Sequence, residues 1–204
     1  LETGVRHGVI AFGGGALLSA VALVLVPDGV SHLPWYAVAA CFSGGGIIFM
    51  ALDIRLEAND TPFSQLTAML SDFVPEALAL GATFTFSKDE GILLAGIIAL
   101  QNMPEGFNAY REIKDSSKYS RLKIIGAFTL MAFLGPIAGA IGYFVLSDYQ
   151  QIISGIMLFA AGGILYIIFQ DIAPQSKLKN HWAPPLGAVA GFLLGVLGHI
   201  LVGA

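Results

Sequence analysis

Two short stretches of the sequence place pairs of oxygen-bearing side chains four residues apart. Asp72 precedes Glu76 by four residues, and Gln101 precedes Glu105 by four residues. In both stretches a proline directly precedes the glutamate, and the two glutamates are 29 residues apart. Because a spacing of four puts two side chains on the same face of a helix, each stretch predicts a helical stripe of oxygen donors. Such stripes are suited to binding protons or cations.

The rest of the chain is unusually apolar. Of its 204 residues, 56% are hydrophobic and 12% are charged, with a mean hydropathy of +0.77. Ordinary soluble domains have about 25% charged residues. The apolar runs are near the length of about 20 residues that crosses a bilayer. The composition therefore predicts an integral membrane protein in contact with lipid.

Apolar stretches bounded by charged, proline or polar residues predict seven membrane-spanning helices. The runs are too long and too continuous for the strands of a membrane β-barrel. Short connections favour one bundle, so we expect an all-α, polytopic membrane helix bundle that forms a single domain over residues 1–204. The predicted spans are 8–27, 34–53, 63–86, 91–110, 124–147, 151–173 and 183–203.

The positions of the cations predict the orientation of the bundle. If the spans alternate, nine of the ten Lys and Arg residues lie on one side, and only Lys88 lies on the other. Short cytoplasmic loops are rich in Lys and Arg. We therefore expect cytoplasmic loops near residues 55, 115 and 178, an external C-terminus, and a location in a prokaryotic inner membrane.

Several functional classes are disfavoured. A net charge of −4 provides no basic surface for nucleic acid, and the single Cys41 cannot form an internal disulfide. An intramembrane hydrolase is a weak alternative, because Ser43 and Ser154 lack the sequence context of a nucleophile and no proteolytic dyad is recognisable. The chain is not expected to be an enzyme.

The two stripes are predicted to meet near the middle of the membrane. Each lies about ten residues into its span, and only the short link 87–90 separates the third span from the fourth. Three of the four side chains are carboxylates, and no Lys or Arg lies inside a span. Either protons or a bound multivalent cation must neutralise them. The alternative to a metal ion is that each glutamate is protonated and makes a hydrogen bond to a neighbouring group.

Pro75 and Pro104 add to this prediction. A proline has no amide hydrogen, so neither can donate to the carbonyl four residues before it, at Ser71 and Leu100. We expect each helix to kink there and to free a carbonyl oxygen beside its stripe.

These residues carry a family resemblance. Pro75-Glu76 and Gln101–Gly106 resemble the paired His-Asn-x-Pro-Glu-Gly motifs of the ZIP (Zrt/Irt-like) divalent metal transporters. Leu130–Gly135 and Phe169–Pro174 are similar to two later segments of that family. ZIP proteins have eight helices with both termini outside. The resemblance therefore implies that the seven predicted spans match the second to eighth helices, and that the first family helix is either missing or unrepresented in this sequence.

The resemblance also implies a metal site and shows where this chain departs from the family. The implied core ligands are Asp72, Glu76, Gln101 and Glu105, and Asn102 belongs to a second site in two-metal relatives. Family members usually have His at Asp72 and Asn at Phe73, and many bacterial members have Glu at Ala132. The second site is therefore expected to be lost. Gln170 and Asp171 are implied as release-side ligands, although an interfacial acid in water explains Asp171 equally well.

The resulting functional hypothesis is a secondary transporter that moves divalent metal ions, of the class Zn, Cd, Fe or Mn, toward the cytoplasm. The ion is its substrate, and no cofactor is expected. The oligomeric state is open, with a homodimer among the alternatives. A metal-binding membrane sensor or scaffold without transport is the main competing function.

The remaining polar residues have simpler explanations. Asp53 is expected to be a solvated or paired helix end, and His199 a hydrogen-bonding contact between helices more readily than a ligand. Asp28 and His32 are expected on the external side of the membrane, where they either attract cations or are ordinary loop residues. Lys88-Asp89-Glu90 is expected to be a solvated cap between two helices.

Overall fold

The computed structural model describes residues 3–59, 73, 76–78, 80, 81, 83, 84, 87–146, 148–179 and 181–202. Every regular element in that part of the chain is helical, which confirms the predicted all-α class. The helices are α1 (Thr3–Ala20), α2 (Val26–Val30), α3 (Trp35–Asn59), α4 (Lys88–Ser116), α5 (Arg121–Ala132), α6 (Leu134–Phe144), α7 (Gln150–Ile167), α8 (Ala173–Ser176) and α9 (Ala183–Val202).

Two π-helical segments and eight further helical residues complete the described part of the chain. The first π-helical segment, π1 (Val21–Leu25), joins α1 to α2, and the second, π2 (Ile168–Ile172), joins α7 to α8. The described residues between 73 and 84 are all helical and are called the Glu76 segment below.

Five helical stretches among the described residues are long and apolar enough to cross a membrane. They agree within a few residues with the first, second, fifth, sixth and seventh predicted spans. The third predicted span lies mostly outside the described residues, and the fourth corresponds to α4. The polytopic helical architecture is thus confirmed, and the number seven stays a prediction. The five stretches are Gly4–Val30, Trp35–Arg55, Arg121–Phe144, Gln150–Ser176 and Ala183–Leu201.

Helix α4 is longer than its predicted span, 91–110. It begins after Ser87, whose hydroxyl accepts a hydrogen bond from the Glu90 amide at 3.2 Å; Lys88, Asp89 and Glu90, which were expected to be the cap, instead form the first turn of the helix. It continues six residues past the predicted end, with Lys114 in its last turn. The prediction ended at the first cation, Arg111, but charged residues continue a helix readily once it leaves the membrane. The expected connection 111–123 therefore shortens to 117–120.

Glycines bring the backbones of α3 and α7 into direct contact. A Cβ atom at Gly45 would overlap the carbonyl oxygen of Phe159, and one at Gly162 would overlap that of Phe42. Lipid tails are as apolar as the side chains, so membrane helices associate largely through such close packing. The glycines of these two spans therefore hold α3 and α7 together.

The same kind of contact occurs at two other helix pairs. A Cβ atom at Gly191 would overlap the carbonyl oxygen of Phe12, where α9 packs on α1. One at Gly81 would overlap the carbonyl oxygen of Gly139, where the Glu76 segment packs on α6. The described helices thus contain closely packed pairs whose separation is set by backbone contact.

The main apolar core lies where α1, π1, α4 and α7 meet. Its buried members include Leu17, Leu25, Leu94, Met157 and Ile164. These residues come from elements far apart in the sequence. The core therefore fixes α4 against the first and sixth predicted spans, and it surrounds the side chain described next.

We predict that Gly45→Ala lowers stability by about 1–3 kcal/mol, because the new methyl group meets the backbone of α7 and the helices must separate. Gly44→Ala is the matched control, since a Cβ atom there has nothing within 4 Å. Alanine also favours a helix over glycine by about 1 kcal/mol, so this control should be neutral or slightly stabilising. Thermal unfolding of the two purified variants in the same detergent measures the difference. Equal melting temperatures would contradict the packing argument.

Candidate metal site

Glu76 is a buried carboxylate in apolar surroundings. Only 3% of its surface is exposed. It borders a small cavity with room for about one water-sized sphere. The other described residues that line the cavity are all apolar: Leu17, Ala20, Leu25, Leu94, Ile97, Ile98 and Ile164. An ionised carboxylate in such a place is costly unless a proton or a cation neutralises it.

The cavity brings Glu76 against α4, as the sequence predicts for the third and fourth spans. Leu94 and Ile98 of α4 line it. Positions separated by three, four or seven residues recur on one face of an α-helix. Gln101 and Glu105 therefore follow Ile98 along the same stripe of α4, about one and two turns farther on.

The complete four-residue site stays a prediction. Asp72 lies outside the described residues, and for Gln101 and Glu105 the structure describes the backbone alone. Among the side chains that are described, no group of three or more His, Cys, Asp or Glu residues is arranged to hold a metal ion. An ion at Glu76 would need further donors, and the sequence predicts them at these three positions.

The three more weakly predicted ligands lie in different settings. Asn102 is half-buried on α4. Gln170 is exposed and Asp171 is half-buried, and both belong to π2. None of the three is among the residues that line the cavity beside Glu76. If Gln170 and Asp171 bind the ion, they do so at a step separate from its contact with Glu76.

The sequence analysis missed the two π-helical segments. In each, an N–H donates to the carbonyl five residues before it. Each segment ends two residues before a proline, Pro27 or Pro174, which has no N–H to continue the regular pattern. Such segments are frequent at functional sites. Here π1 supplies Leu25 to the cavity and π2 carries Asp171, so prolines near the ends of long apolar spans were the available signal.

Asp53 is paired, as expected, but it does not end its helix, because α3 continues to Asn59. The hydroxyl of Tyr166 on α7 donates to its Oδ2 at 2.9 Å. This hydrogen bond connects the end of the second span to the end of α7, close to π2. Tyr166 could not be identified as the partner from the sequence, because the two residues are 113 positions apart.

His199 differs from its expected role at one atom. A hydrogen bond to a neighbouring helix was expected, yet Nδ1 of His199 is buried and has no hydrogen-bond partner. By contrast, the hydroxyls of Ser43 and Ser154 donate to the backbone carbonyls of Ala39 and Asp28. Neither serine bond resembles the pairing of a catalytic nucleophile with a base, so nothing at these serines favours the hydrolase alternative.

Comparison with known proteins agrees with the resemblance at the glutamate motifs. A search of curated proteins finds no match to this chain. A profile of the family described as ZIP zinc transporter matches residues 62–203. The matched region contains both glutamate stretches and π2. Because it also covers well over half of the chain, the protein belongs to the ZIP zinc transporter family and is a membrane-embedded transporter of divalent metal ions.

Proposed function

We propose that the protein moves divalent metal ions toward the cytoplasm through a midplane site formed by Asp72, Glu76, Gln101 and Glu105. The observation that carries this proposal is the burial of Glu76 beside α4 in an otherwise apolar cavity. A carboxylate in that position needs a counter-charge, and no Lys or Arg lies inside a predicted span. A dication satisfies several carboxylates at once.

The proposed ion is partly hydrated and belongs to the class Zn, Cd, Fe or Mn. Side-chain oxygens from the four residues replace part of its water shell, and Asn102 is an additional donor on the same helix. Gln170 and Asp171 act later, on the release side. All of these residues belong to one chain, so the site itself does not require a homodimer.

The packing of the described helices supports an alternating-access mechanism. Glycine contacts join α3 to α7 and α1 to α9, and another joins the Glu76 segment to α6. The cavity beside Glu76 is lined by residues of α1, π1, α4 and α7 together with Glu76 itself. Apolar surfaces have no directional bonds to break when they shift. Rocking of the Glu76 side against α1 and α7 would expose the site alternately to each face.

The proposed direction follows from the charge distribution and the membrane potential. The Lys and Arg residues place the loops near 55, 115 and 178 in the cytoplasm. A potential of 100 mV, negative inside, favours inward movement of a dication by about 4 to 5 kcal/mol. Uptake toward the cytoplasm therefore needs no nucleotide hydrolysis.

Ion flux is the decisive test. The purified chain is reconstituted in vesicles, and uptake of Zn²⁺, Cd²⁺, Mn²⁺ and Fe²⁺ is compared with that of protein-free vesicles. Saturable, protein-dependent uptake of at least one ion is expected. Binding without uptake would instead support the sensor or scaffold alternative.

We predict that Glu76→Ala and Glu105→Ala each reduce uptake at low metal concentration by at least about 10-fold, as expected for removal of a direct ligand. Glu76→Gln should fail similarly, because it keeps the side-chain volume and removes the charge. The matched control is Asp115→Ala, which removes an exposed carboxylate from the same helix as Glu105. The variants must elute from a size-exclusion column as the wild type does. Normal uptake by either glutamate variant that passes this check would refute the proposed site.

We predict that Asp72→His shifts the preference of the transporter toward Zn²⁺ over Mn²⁺. The proposed site contains only oxygen donors, which suit Mn²⁺ and Fe²⁺ better than imidazole does. Competition between the two ions in the uptake assay measures the ratio in the variant and in the wild type. An unchanged ratio would show that ligand type at position 72 does not set selectivity.

We predict that the midplane site holds one ion. Phe73 and Ala132 occupy positions where two-metal relatives have donors, and neither has a side-chain oxygen. The ring of Phe73 lies against Gly135 of α6, where a Cβ atom would come within 2.5 Å of it. Two dications sharing Glu76 and Glu105 would repel each other strongly in a low dielectric. Anomalous diffraction should show one peak, and two well-occupied peaks bridged by these glutamates would overturn this prediction.

A further inference from the structure

Half of the cations of this chain lie in one short segment, residues 111–123, here called the basic turn. It contains five of the ten Lys and Arg residues, together with two carboxylates, Glu112 and Asp115. The other five cations are spread over the rest of the chain, one or two at a time. The general excess of cations in cytoplasmic loops accounts for their side of the membrane but not for their concentration in one turn. The five are Arg111, Lys114, Lys118, Arg121 and Lys123.

The basic turn is formed by the ends of two helices with a short, capped connection. Only residues 117–120 connect α4 to α5. The hydroxyl of Ser117 donates to the carbonyl of Ile113 in the last turn of α4. The hydroxyl of Ser120 accepts from the amide of Lys123 at 3.4 Å, in the first turn of α5. The two serines thus satisfy backbone groups at the facing helix ends, which defines the path of the turn.

A small apolar cluster holds these two helix ends together. Ile113 of α4 and Ile124 of α5 are both buried in it, and three larger side chains pack against them. Lys114 and Lys123 are the sequence neighbours of the two isoleucines, and neighbouring Cα atoms are about 3.8 Å apart. The packing of α4 on α5 therefore brings cations from both helices to one place.

The charged groups of the basic turn are accessible to a ligand. Arg111, Lys118, Arg121 and Lys123 are exposed, and Lys114 is half-buried. None of the five makes an ion pair with a carboxylate of the described residues. Cations held this close together repel one another, so an anion that binds between them is favoured.

Exposed apolar side chains lie among these cations. Leu122 is 83% exposed and stands between Arg121 and Lys123, while Tyr119 is 50% exposed. The membrane-spanning stretch of α5 and α6 begins at Arg121, so Leu122 lies at the membrane surface. A leucine between cations suits this interface, because the aliphatic group enters the lipid tails while the long basic side chains reach the phosphates. A soluble anion would have no use for the apolar group.

We propose that the basic turn binds the phosphate of an anionic phospholipid at the membrane surface. Clusters of about four to eight Lys and Arg residues directly beside a membrane helix are typical of such binding. Arg111 and Arg121 can pair with phosphate oxygens through two hydrogen bonds each, and the lysines add charge. The acyl chains of the same lipid pack on Leu122. This site is separate from the proposed metal site and does not depend on transport.

The same helix connects the two sites. α4 carries Glu105 within the membrane and Arg111 and Lys114 at its end. A lipid bound at the basic turn therefore holds the end of this helix at the membrane surface. The anchor would fix the height of α4 in the bilayer.

Lipid binding is measured on the purified full-length chain by native mass spectrometry. Phosphatidylglycerol is titrated into the protein in detergent, and phosphatidylcholine is the zwitterionic control that should bind more weakly. The double variant with Lys118→Gln and Lys123→Gln should bind phosphatidylglycerol about 25-fold more weakly, since each cation near an anionic surface contributes roughly 5-fold. The matched control combines Lys177→Gln with Lys179→Gln, two exposed lysines of another loop, and should leave the affinity nearly unchanged.

Four outcomes would overturn the proposal. The first is equal affinity of the two double variants for phosphatidylglycerol, and the second is equal affinity of the wild type for the two lipids. The third is displacement of the lipid by the same concentration of glycerol phosphate, which would indicate a site for a free anion. The fourth is displacement by polyglutamate, which would indicate an acidic protein segment. Leu122→Ser keeps every charge and should weaken lipid binding, and an unchanged affinity would contradict the acyl contact.

Hydrogen–deuterium exchange locates the bound lipid in a bilayer. The amides of residues 117–123 should exchange more slowly in nanodiscs that contain phosphatidylglycerol than in nanodiscs of phosphatidylcholine alone. Because salt screens exposed charges, about 0.5 M NaCl should remove most of this difference. Residues 177–179 are the internal reference and should exchange equally in both. The same exchange rate at the basic turn in the two kinds of nanodisc would overturn the proposal.

Discussion

The cost of placing a carboxylate in an apolar interior is the constraint on which the rest of this molecule depends. Glu76 is almost fully buried, and its described surroundings beside the cavity are aliphatic. A membrane protein retains such a group only where something neutralises it. In the proposed site, a second stripe of oxygen donors on α4 would share one cation with Glu76, which would neutralise several carboxylates at once. The family to which the chain belongs transports such ions.

Close helix packing creates the space in which this constraint acts. Gly45 and Gly162 let two helices touch through their backbones, and Gly81 does the same between the Glu76 segment and α6. Larger residues there would push the helices apart and open the interior to lipid or water. Glycines also bring different pairs together, since a Cβ atom at Gly29 of α2 would overlap the side chain of Leu158 on α7.

Polar groups at the two ends of the bundle have different chemical settings. At the end predicted to be cytoplasmic, Asp53 is satisfied by Tyr166 close to π2. At the opposite end, Asp28 and His199 each have a buried atom without a hydrogen-bond partner. The first arrangement stabilises the contact between α3 and α7.

The sequence by itself determined the features that depend on local composition and spacing. Long apolar runs specify membrane helices, so five predicted spans agree closely with the structure. The spacing of four residues likewise determines that Gln101 and Glu105 occupy positions on one face of α4. The end of α4 was misjudged, because hydropathy marks the membrane boundary and helical hydrogen bonds continue past it.

Contacts between distant residues were decided only by the tertiary structure. The apolar lining around Glu76 and the Tyr166–Asp53 hydrogen bond join positions far apart in the chain. No local pattern encodes them, since they depend on which helix faces pack together.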